Sequence, residues 1–395
     1  MTLSRRMRLR LLWPASCLLL LTGCWSRVEI NDRAFVTAIY LDRSEEGEYE
    51  VSLGFPLVNR MQTGGGLSQA AESQGNPFTI VTKKAESIPI AVRKIRSDLT
   101  REISFGHCNV IVVGKKMAES GINPILEFAM RQPDFHTNAY LMVASGKAKD
   151  VSYLTTVFER LPSEIIREFA KRRVTLDTNV KDFLEASALN GGMLAPMLVI
   201  GKTKMLSEQG KLSTWVGTDG AALFKDGKMI GTFDVKEMRA GLWVGGKMKN
   251  SMISIKSPTD GKIVSFVILY SKSKIRPVVT ADQVRFDISI EAEDDIISSV
   301  SDIDINDPSQ IAKLQEILSK ELKGRIETAI KKSQSMKADV FGFARYLDWH
   351  YPKVWYKYGA DWGEVYSRCE INVDARVAIK RTGTERNTII RYQKD

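Results

Sequence analysis

Histidine and carboxylate side chains are the first candidates for metal chemistry in this 395-residue sequence. The histidines, His107, His136 and His350, are far apart and lack the spacing of metal ligands, and no cysteine pair completes a zinc site. The acidic run at 302–307 imitates the start of a calcium-binding loop, but aspartate takes the sixth position and lysine the twelfth, where glycine and glutamate are required. The sequence therefore predicts no metal site.

Two further patterns share the outline of a catalytic or phosphate-binding motif. Residues 201–203, Gly-Lys-Thr, match the end of a phosphate-binding loop, but Pro196 replaces the first glycine of that loop. Ser271 and Lys274 have the spacing of a serine–lysine nucleophile pair, yet they lie in an alternating, strand-like segment without supporting motifs. We therefore predict no catalytic residue, no cofactor and a protein that is not an enzyme.

Cys24 carries the clearest chemical signal. Four arginines precede an apolar run at 11–21, which is too short to span about 30 Å of hydrocarbon as a helix. A basic segment followed by a short apolar one is typical of a secretory signal peptide. The sequence Leu-Thr-Gly-Cys at 21–24 resembles the lipobox of bacterial lipoproteins.

The lipobox resemblance implies that residues 1–23, the predicted signal peptide, are removed and that Cys24 receives a diacylglyceryl thioether. Two acyl chains hold a protein durably at a membrane, whereas one does so only marginally. The alternative is a secreted protein cut near Ala15, with Cys24 as a plain thiol.

The rest of the chain has the composition of a folded protein of two or three domains. Hydrophobic residues make up 44% of the sequence and charged residues 26%. Without the four signal arginines, 53 basic residues face 47 acidic ones, a net charge of about +6. That excess suits an anionic membrane surface, and no nucleic-acid-binding motif accompanies it. Cys108 and Cys369 could pair, but two distant cysteines do not make a disulfide framework.

Hydrophobic patterns predict an α+β fold of two to three mixed α/β domains, with largely antiparallel or mixed sheets packed by helices. We predict an N-terminal domain at 24–200 and a C-terminal domain at 217–395. A polar stretch between them predicts a linker at 201–216. Asp-Gly at 226–227 predicts a tight hairpin inside the second domain.

The clearest predicted helix follows Asp307 and Pro308, which suit its cap and first position. Its apolar residues recur every three or four positions, so we expect that stripe to pack on a sheet. The stripe consists of Ile311, Leu314, Leu318, Leu322, Ile326 and Ile330.

Aromatic and basic residues concentrate between residues 341 and 366. Such a mixture forms either a partner surface or the filling between helices and a sheet. We predict that Trp349 and Trp355, in helical stretches, lie in the core. Trp362 stands between Gly359 and Gly363 in a predicted loop, so we predict that it contacts a partner.

Four segments together resemble one known family. The mature chain would open with Cys-Trp-Ser-Arg-Val-Glu-Ile at 24–30, and three more similar stretches follow at 101–149, at 220–231 and from the aromatic helices to 384. These resemble the Ger(x)C family of spore germination lipoproteins, the C subunits of nutrient germinant receptors. Gln-Pro at 132–133 departs from the family pattern, in which an acidic residue usually follows the arginine.

The resemblance implies a lipid-anchored, non-enzymatic receptor subunit on the outer face of the spore inner membrane. It implies partners in the integral-membrane A and B subunits of the same receptor, and no nucleic acid. A different class, a solute-binding lipoprotein that captures a small ligand between its domains, stays open. A surface hydrolase has less support, because no nucleophile–base motif is present. A test of nutrient binding by the chain alone distinguishes the receptor subunit from the solute-binding lipoprotein, because only the latter should bind.

Overall fold

The computed structural model of the chain describes residues 29–57, 76–281 and 283–381. Within these ranges the strands form sheets of two, eight and four strands. The smallest sheet pairs β1 (Arg33–Phe35) with β5 (Glu102–Ser104) in parallel. No helix in the described ranges is long and apolar enough to cross a membrane.

The largest sheet is built mainly from the first half of the chain. Its strands are β2 (Ala38–Arg43), β3 (Tyr49–Pro56), β4 (Phe78–Ala85), β6 (Val110–Gly114), β7 (Tyr140–Ala144), β8 (Gly192–Lys204), β9 (Leu212–Lys225) and β10 (Lys228–Phe233). They lie in the order β10-β9-β8-β7-β6-β2-β3-β4. The four middle strands β8, β7, β6 and β2 are parallel, and antiparallel hairpins complete the sheet on both sides.

Helices cover both faces of this sheet, which explains the unbroken apolar run Val110–Val113. Ile111 and Val113 point to one face, and Val110 and Val112 point to the other. The first face is covered by α1 (Ile88–Arg96), α2 (Lys115–Ser120), α3 (Asn123–Arg131) and α6 (Val180–Ala188). The second is covered by α4 (Ala148–Val151) and α5 (Pro162–Lys171).

Residues 201–216, predicted as a linker, form the far half of the β8–β9 hairpin. Gly201 pairs with Trp215 and Lys204 with Leu212, and a 3-10 turn at Leu206–Glu208 follows β8. The polar composition of these residues suggested a loop. They form strands instead, and their side chains are polar because most of them are exposed to water in this part of the hairpin. This corrects the predicted conformation of these residues, while the domain boundaries stay a prediction.

The predicted tight hairpin at Asp226 and Gly227 is confirmed. It joins β9 to β10, and both residues have positive φ, of 52° and 75°. Positive φ at both central positions is the requirement of a type I′ turn, which suits Asp-Gly. β10 thereby becomes the edge strand of the eight-stranded sheet.

The second half of the chain forms the four-stranded sheet and its helices. The strands are β11 (Met252–Lys256), β12 (Ile263–Thr280), β13 (Gln283–Ser299) and β14 (Glu370–Arg381), in that order. The first three are antiparallel, and β14 is parallel to β13. The helices are α7 (Val235–Val244), α8 (Pro308–Ser335), α9 (Phe343–His350), α10 (Pro352–Tyr358) and α11 (Trp362–Arg368).

The long helix α8 confirms the prediction made from its apolar stripe. Asp307 caps it by accepting a hydrogen bond from the Ser309 N–H at 2.8 Å. Leu314, Leu318, Leu322 and Ile326 are buried against the sheet. Sheets of mixed strand direction packed by helices also confirm the predicted fold class.

Side chains of α8 also satisfy the outer edge of β14. Ser319 Oγ accepts the Val377 N–H at 3.0 Å, and Gln315 Oε1 accepts the Ile379 N–H at 2.8 Å. Two backbone donors that an edge strand normally leaves open are therefore occupied.

Candidate functional site

Cys24, the predicted lipidation site, and the predicted signal peptide at 1–23 lie outside the described residues. The other predicted site residue, Trp362, lies inside them, as do the three histidines and both mature-chain cysteines.

Trp362 is fully buried, with 0% of its surface exposed, so its prediction as a partner contact was wrong. It begins helix α11, and its Nε1–H donates a hydrogen bond to Asp339 Oδ2 at 2.9 Å. The flanking glycines suggested a loop, but both serve packing: a Cβ on Gly359 would lie 2.9 Å from the Trp355 indole, and one on Gly363 would lie 2.8 Å from the Lys337 carbonyl oxygen.

Asp339 is the polar centre of this buried cluster. Its carboxylate also accepts the backbone N–H groups of Phe343 at 3.0 Å and Ala344 at 2.7 Å, at the start of α9. A negative charge is favoured at a helix N-terminus, where the backbone donors are unpaired. Burial raises the pKa of Asp339, and these hydrogen bonds oppose that rise. The carboxylate thus joins α9 to α11.

Aromatic rings pack around this carboxylate. Trp362, Tyr366, Phe343 and Phe286 lie within about van der Waals reach of one another, with ring centroids 4.9–6.2 Å apart in contacting pairs. The Tyr366 hydroxyl shares a hydrogen bond with Ser333 of α8. Burial raises the pKa of Tyr366, so it stays a neutral phenol. The cluster therefore has a structural role.

Trp349, predicted as core, is 66% exposed, so that prediction was also wrong. Helix α9 buries Phe343, Ala344 and Leu347, and Trp349 lies on the opposite face. Trp355 does pack against the core, as predicted. Exposed rings on α9 and the adjacent turn and helix α10 define an aromatic surface consisting of Trp349, Tyr351 and Tyr356.

Arg345 connects that surface with a cleft. Its guanidinium carbon lies 5.5 Å from the Trp349 ring centroid and 5.9 Å from that of Tyr346, within cation–π range. Arg345 Nη1 also lies 3.6 Å from Glu185 Oε2 on α6. Its Nε is buried and has no hydrogen-bond partner among the residues that the structure describes.

The cleft lies between α6 and the start of α9 and has a volume of about 230 Å³. Its apolar lining includes Leu176, Leu189, Leu242, Val340, Phe341 and Tyr346. Asp182 and Glu185 of α6 and Lys247 supply charge, and Lys247 Nζ pairs with Asp177 Oδ1 at 2.7 Å. A few charged groups around an apolar cavity are typical of a small-molecule site.

Burial is the main cause of the raised pKa of Asp182 in this cleft. Asp177 and Glu185 repel its negative charge and add to the rise, whereas the Asn179 N–H and Lys247 lower it. A cationic or hydrogen-bond-donating group in the cleft would favour the charged carboxylate. The arrangement is suited to binding rather than to nucleophilic attack.

The other chemical candidates stay apart. The His107 ring packs edge-on against the Phe35 ring, with 4.6 Å between the ring centroids. His350 Nδ1 lies 2.9 Å from the Tyr346 carbonyl oxygen. Cys108 and Cys369 are free thiols buried in separate cores, so they do not pair. Within the described ranges no three His, Cys, Asp or Glu side chains are grouped to hold a metal.

Sequence reasoning missed Asp339 and the cleft. The partners of Asp339 are 4, 5 and 23 residues away, which is no recognised motif spacing. One local signal was present: the carboxylate precedes Gly342, which has a φ of +75° and leads into α9.

Comparison with known proteins decides the family. The family model described as "Spore germination protein N-terminal domain" matches residues 26–200. The one described as "Spore germination B3/ GerAC like, C-terminal" matches residues 219–383. The chain belongs to the Ger(x)C family of spore germination proteins. The resemblance seen in the sequence is therefore confirmed.

Relatives of the Ger(x)C chain align over nearly their whole length. Spore germination protein KC of Bacillus subtilis (strain 168) is 26% identical over 395 residues, covering 95% of this chain and 96% of that protein. Spore germination protein YndF of the same organism is 26% identical over 395 residues, covering 93% and 95%. The crystal structure of the GerBC protein has a TM-score of 0.55 and 19% identity, over 86% of this chain and 96% of that one, which shows a shared fold.

Proposed function

We propose that this Ger(x)C chain is a lipid-anchored, non-enzymatic subunit of a spore nutrient germinant receptor. It would lie on the outer face of the spore inner membrane and assemble with the integral-membrane A and B subunits. Its contribution is a folded surface for assembly rather than a catalytic step.

One observation carries the proposal: two spore-germination domains, at 26–200 and 219–383, directly follow a lipobox-like sequence that ends at Cys24. A diacylglyceryl group on Cys24 buries two acyl chains, at about 0.8 kcal/mol per CH₂, which suffices for lasting attachment. The aromatic surface adds support, because exposed Trp and Tyr beside arginine are the residue types enriched in protein interfaces.

The test is a pull-down of the full chain from spore membranes, followed by mass spectrometry of what accompanies it. We expect two integral-membrane proteins with the chain in constant ratio. Cys24→Ala, compared in parallel by labelling with a fatty-acid analogue, should lose the label. Label persisting on that variant, or recovery of the chain alone from intact membranes, would contradict the proposal.

A solute-binding lipoprotein is the second candidate, and the cleft between α6 and α9 favours it. The buried Nε of Arg345 has no partner among the residues that the structure describes, and the half-buried carboxylate of Asp182 also lines the cleft. Thermal unfolding of the full chain with individual nutrients tests this. A concentration-dependent rise in Tm that Arg345→Ala abolishes would support direct ligand capture, whereas a flat response to every nutrient supports a role in assembly alone.

A further inference from the structure

The parallel strands β2, β6 and β7 are neighbours in the middle of the eight-stranded sheet, and their carboxyl ends lie side by side. Leu41 pairs with Val113, and Gly114 pairs with Ala144, so the three strands reach the same level. In α/β sheets, ligands bind in the crevice beyond the carboxyl ends of such strands. Here the chain places a cation at or just after each end: Arg43 is the last residue of β2, Lys115 follows β6, and Lys147 lies three residues beyond β7.

A pocket of about 370 Å³ lies at these strand ends. Lys84, Lys115, Lys116 and Lys147 line it together with Arg43. The strand-end backbone at 145–146 contributes to the same wall, and Asp42 lies at its buried side. The volume falls within the range of small-molecule sites.

Most acids in this pocket are already engaged. Glu46 lies 3.7 Å from Lys84 Nζ, and Glu50 lies 3.5 Å from Lys149 Nζ. Lys115, Lys116 and Lys147 have no ion pair and no side-chain hydrogen bond with any residue in the described ranges. The pocket therefore holds three unpaired ammonium groups, in a lining that also contains the carboxylates of Asp42, Glu45, Glu46 and Glu50.

Asp42 fixes the position of the turn that carries Lys147. Its two carboxylate oxygens accept the N–H groups of Ala148 at 2.8 Å and Lys149 at 2.9 Å. Gly114 directly precedes Lys115, and a Cβ there would overlap Asp42 Oδ1. The same buried carboxylate thus constrains both lysine-bearing turns, so that the pocket is built into these strand ends.

We propose that this pocket, lined by Lys115, Lys116 and Lys147, binds the phosphate group of a small phosphorylated ligand. Lysine acts as a point charge toward phosphate, and three ammonium groups match a dianion better than a single carboxylate. The proposal is independent of receptor assembly and of the cleft at α9.

Lysine footprinting on the full chain in a neutral detergent tests it. The chain is briefly acetylated with and without glycerol 3-phosphate, and the extent at each lysine is measured by mass spectrometry. We expect at least fivefold slower acetylation of Lys115, Lys116 and Lys147. Lys236 and Lys313, exposed elsewhere, are internal references and should not change. Equal protection by sodium chloride of the same ionic strength would overturn the proposal.

A second arm distinguishes a dissolved phosphate from a lipid headgroup. The chain is transferred to phosphatidylglycerol vesicles or to phosphatidylcholine vesicles, and protection is scored as the difference between them. Protection by glycerol 3-phosphate assigns a dissolved ligand, and protection in the vesicle arm alone assigns a headgroup. Protection in neither arm refutes the phosphate site.

Matched variants give an affinity readout. Lys115→Gln with Lys147→Gln should weaken glycerol 3-phosphate binding, or phosphatidylglycerol binding if that arm alone responds, at least tenfold. Lys236→Gln with Lys313→Gln removes the same charge and should leave it within twofold. Equal weakening in both pairs would show general charge attraction and would overturn the proposal.

Discussion

A carboxylate is buried at each end of the four-stranded sheet. Asp339 lies at the end where β13 contains Phe286, and Asp294 lies in β13 itself, eight residues after Phe286. Both side chains are 1% exposed. Asp339 accepts three hydrogen bonds and is enclosed by aromatic rings. Asp294 points to the core face between Ala292 and Ile296, and within the described part of the chain its Oδ1 has no hydrogen-bond partner.

The difference shows that burial alone does not say whether a charged group stabilises a fold. A buried carboxylate with several donors organises the elements that supply them, whereas an unpartnered one costs desolvation free energy. Burial, with repulsion from Asp295, raises the pKa of Asp294 to about 7. Asp339 therefore stabilises its end of the sheet, whereas Asp294 destabilises the other end when it is charged.

The largest effect should come from Trp362→Ala at the Asp339 end. It removes a fully buried indole and one of the three donors, so we expect a loss of about 4–5 kcal/mol in the free energy of unfolding. Urea unfolding of the full chain in a neutral detergent measures it. The control, Trp349→Ala, removes an exposed ring and should change stability by less than about 0.5 kcal/mol. Similar losses in the two variants would erase the distinction between core and surface.

Asp339→Ala should follow, with a loss of about 3 kcal/mol, because the Phe343, Ala344 and Trp362 donors would be left buried and unpaired. Asp339→Asn keeps an acceptor oxygen and should lose less. The same unfolding experiment ranks the two. If alanine and asparagine were equally mild, the carboxylate would not hold α9 to α11.

Asp294→Asn should act in the opposite direction and depend on pH. The folded protein holds the Asp294 proton up to about pH 7, while the unfolded chain releases it near pH 3.8, so the stability that the neutral form provides is lost as pH rises through that window. The variant should match the parent near pH 4 and be about 4 kcal/mol more stable at pH 8, because each of the roughly three pKa units is worth about 1.4 kcal/mol. Unfolding at both pH values is the measurement. A gain that is the same at pH 4 and pH 8 would show that the ionisation of Asp294 is not responsible.

The smallest effect should come from the edge of β14, near the Asp294 end. Gln315→Ala leaves the Ile379 N–H without its protein partner, at a cost of about 1 kcal/mol. Glu316→Ala, on the exposed side of α8, is the matched control and should be neutral. A neutral Gln315→Ala would mean that water replaces the amide without cost.

Patterns within one element could be predicted from the sequence, and contacts between distant residues could not. The stripe of α8 follows from its spacing, because residues three or four apart share a helix face. The Asp-Gly turn follows from the φ values that those residues tolerate. Each prediction needed only residues that are adjacent in the chain or on one helix.

The errors at Trp362 and Trp349 have the opposite cause. Gly359 and Gly363 suggested a loop, but their neighbours are the Trp355 ring and the Lys337 carbonyl, and the second is 26 residues away. Trp349 lies in a helix, as expected, but which face is buried depends on where α9 meets the sheet. The pairing of residues 201–204 with 212–215 was hidden because exposed strands and loops share polar composition.

The β8–β9 hairpin also dictates an order of events during synthesis. A nascent chain that ends at residue 200 contains the first nine residues of β8 with nothing on their outer edge, since β9 and β10 supply that side. At roughly 5–20 residues per second, the ribosome needs about 2–7 s more to add the residues through Phe233. For that interval β8 is an open template for strands of other chains. A recombinant fragment cut at 200 would keep that edge permanently, so an expression boundary after Phe233 is the better choice for the N-terminal half.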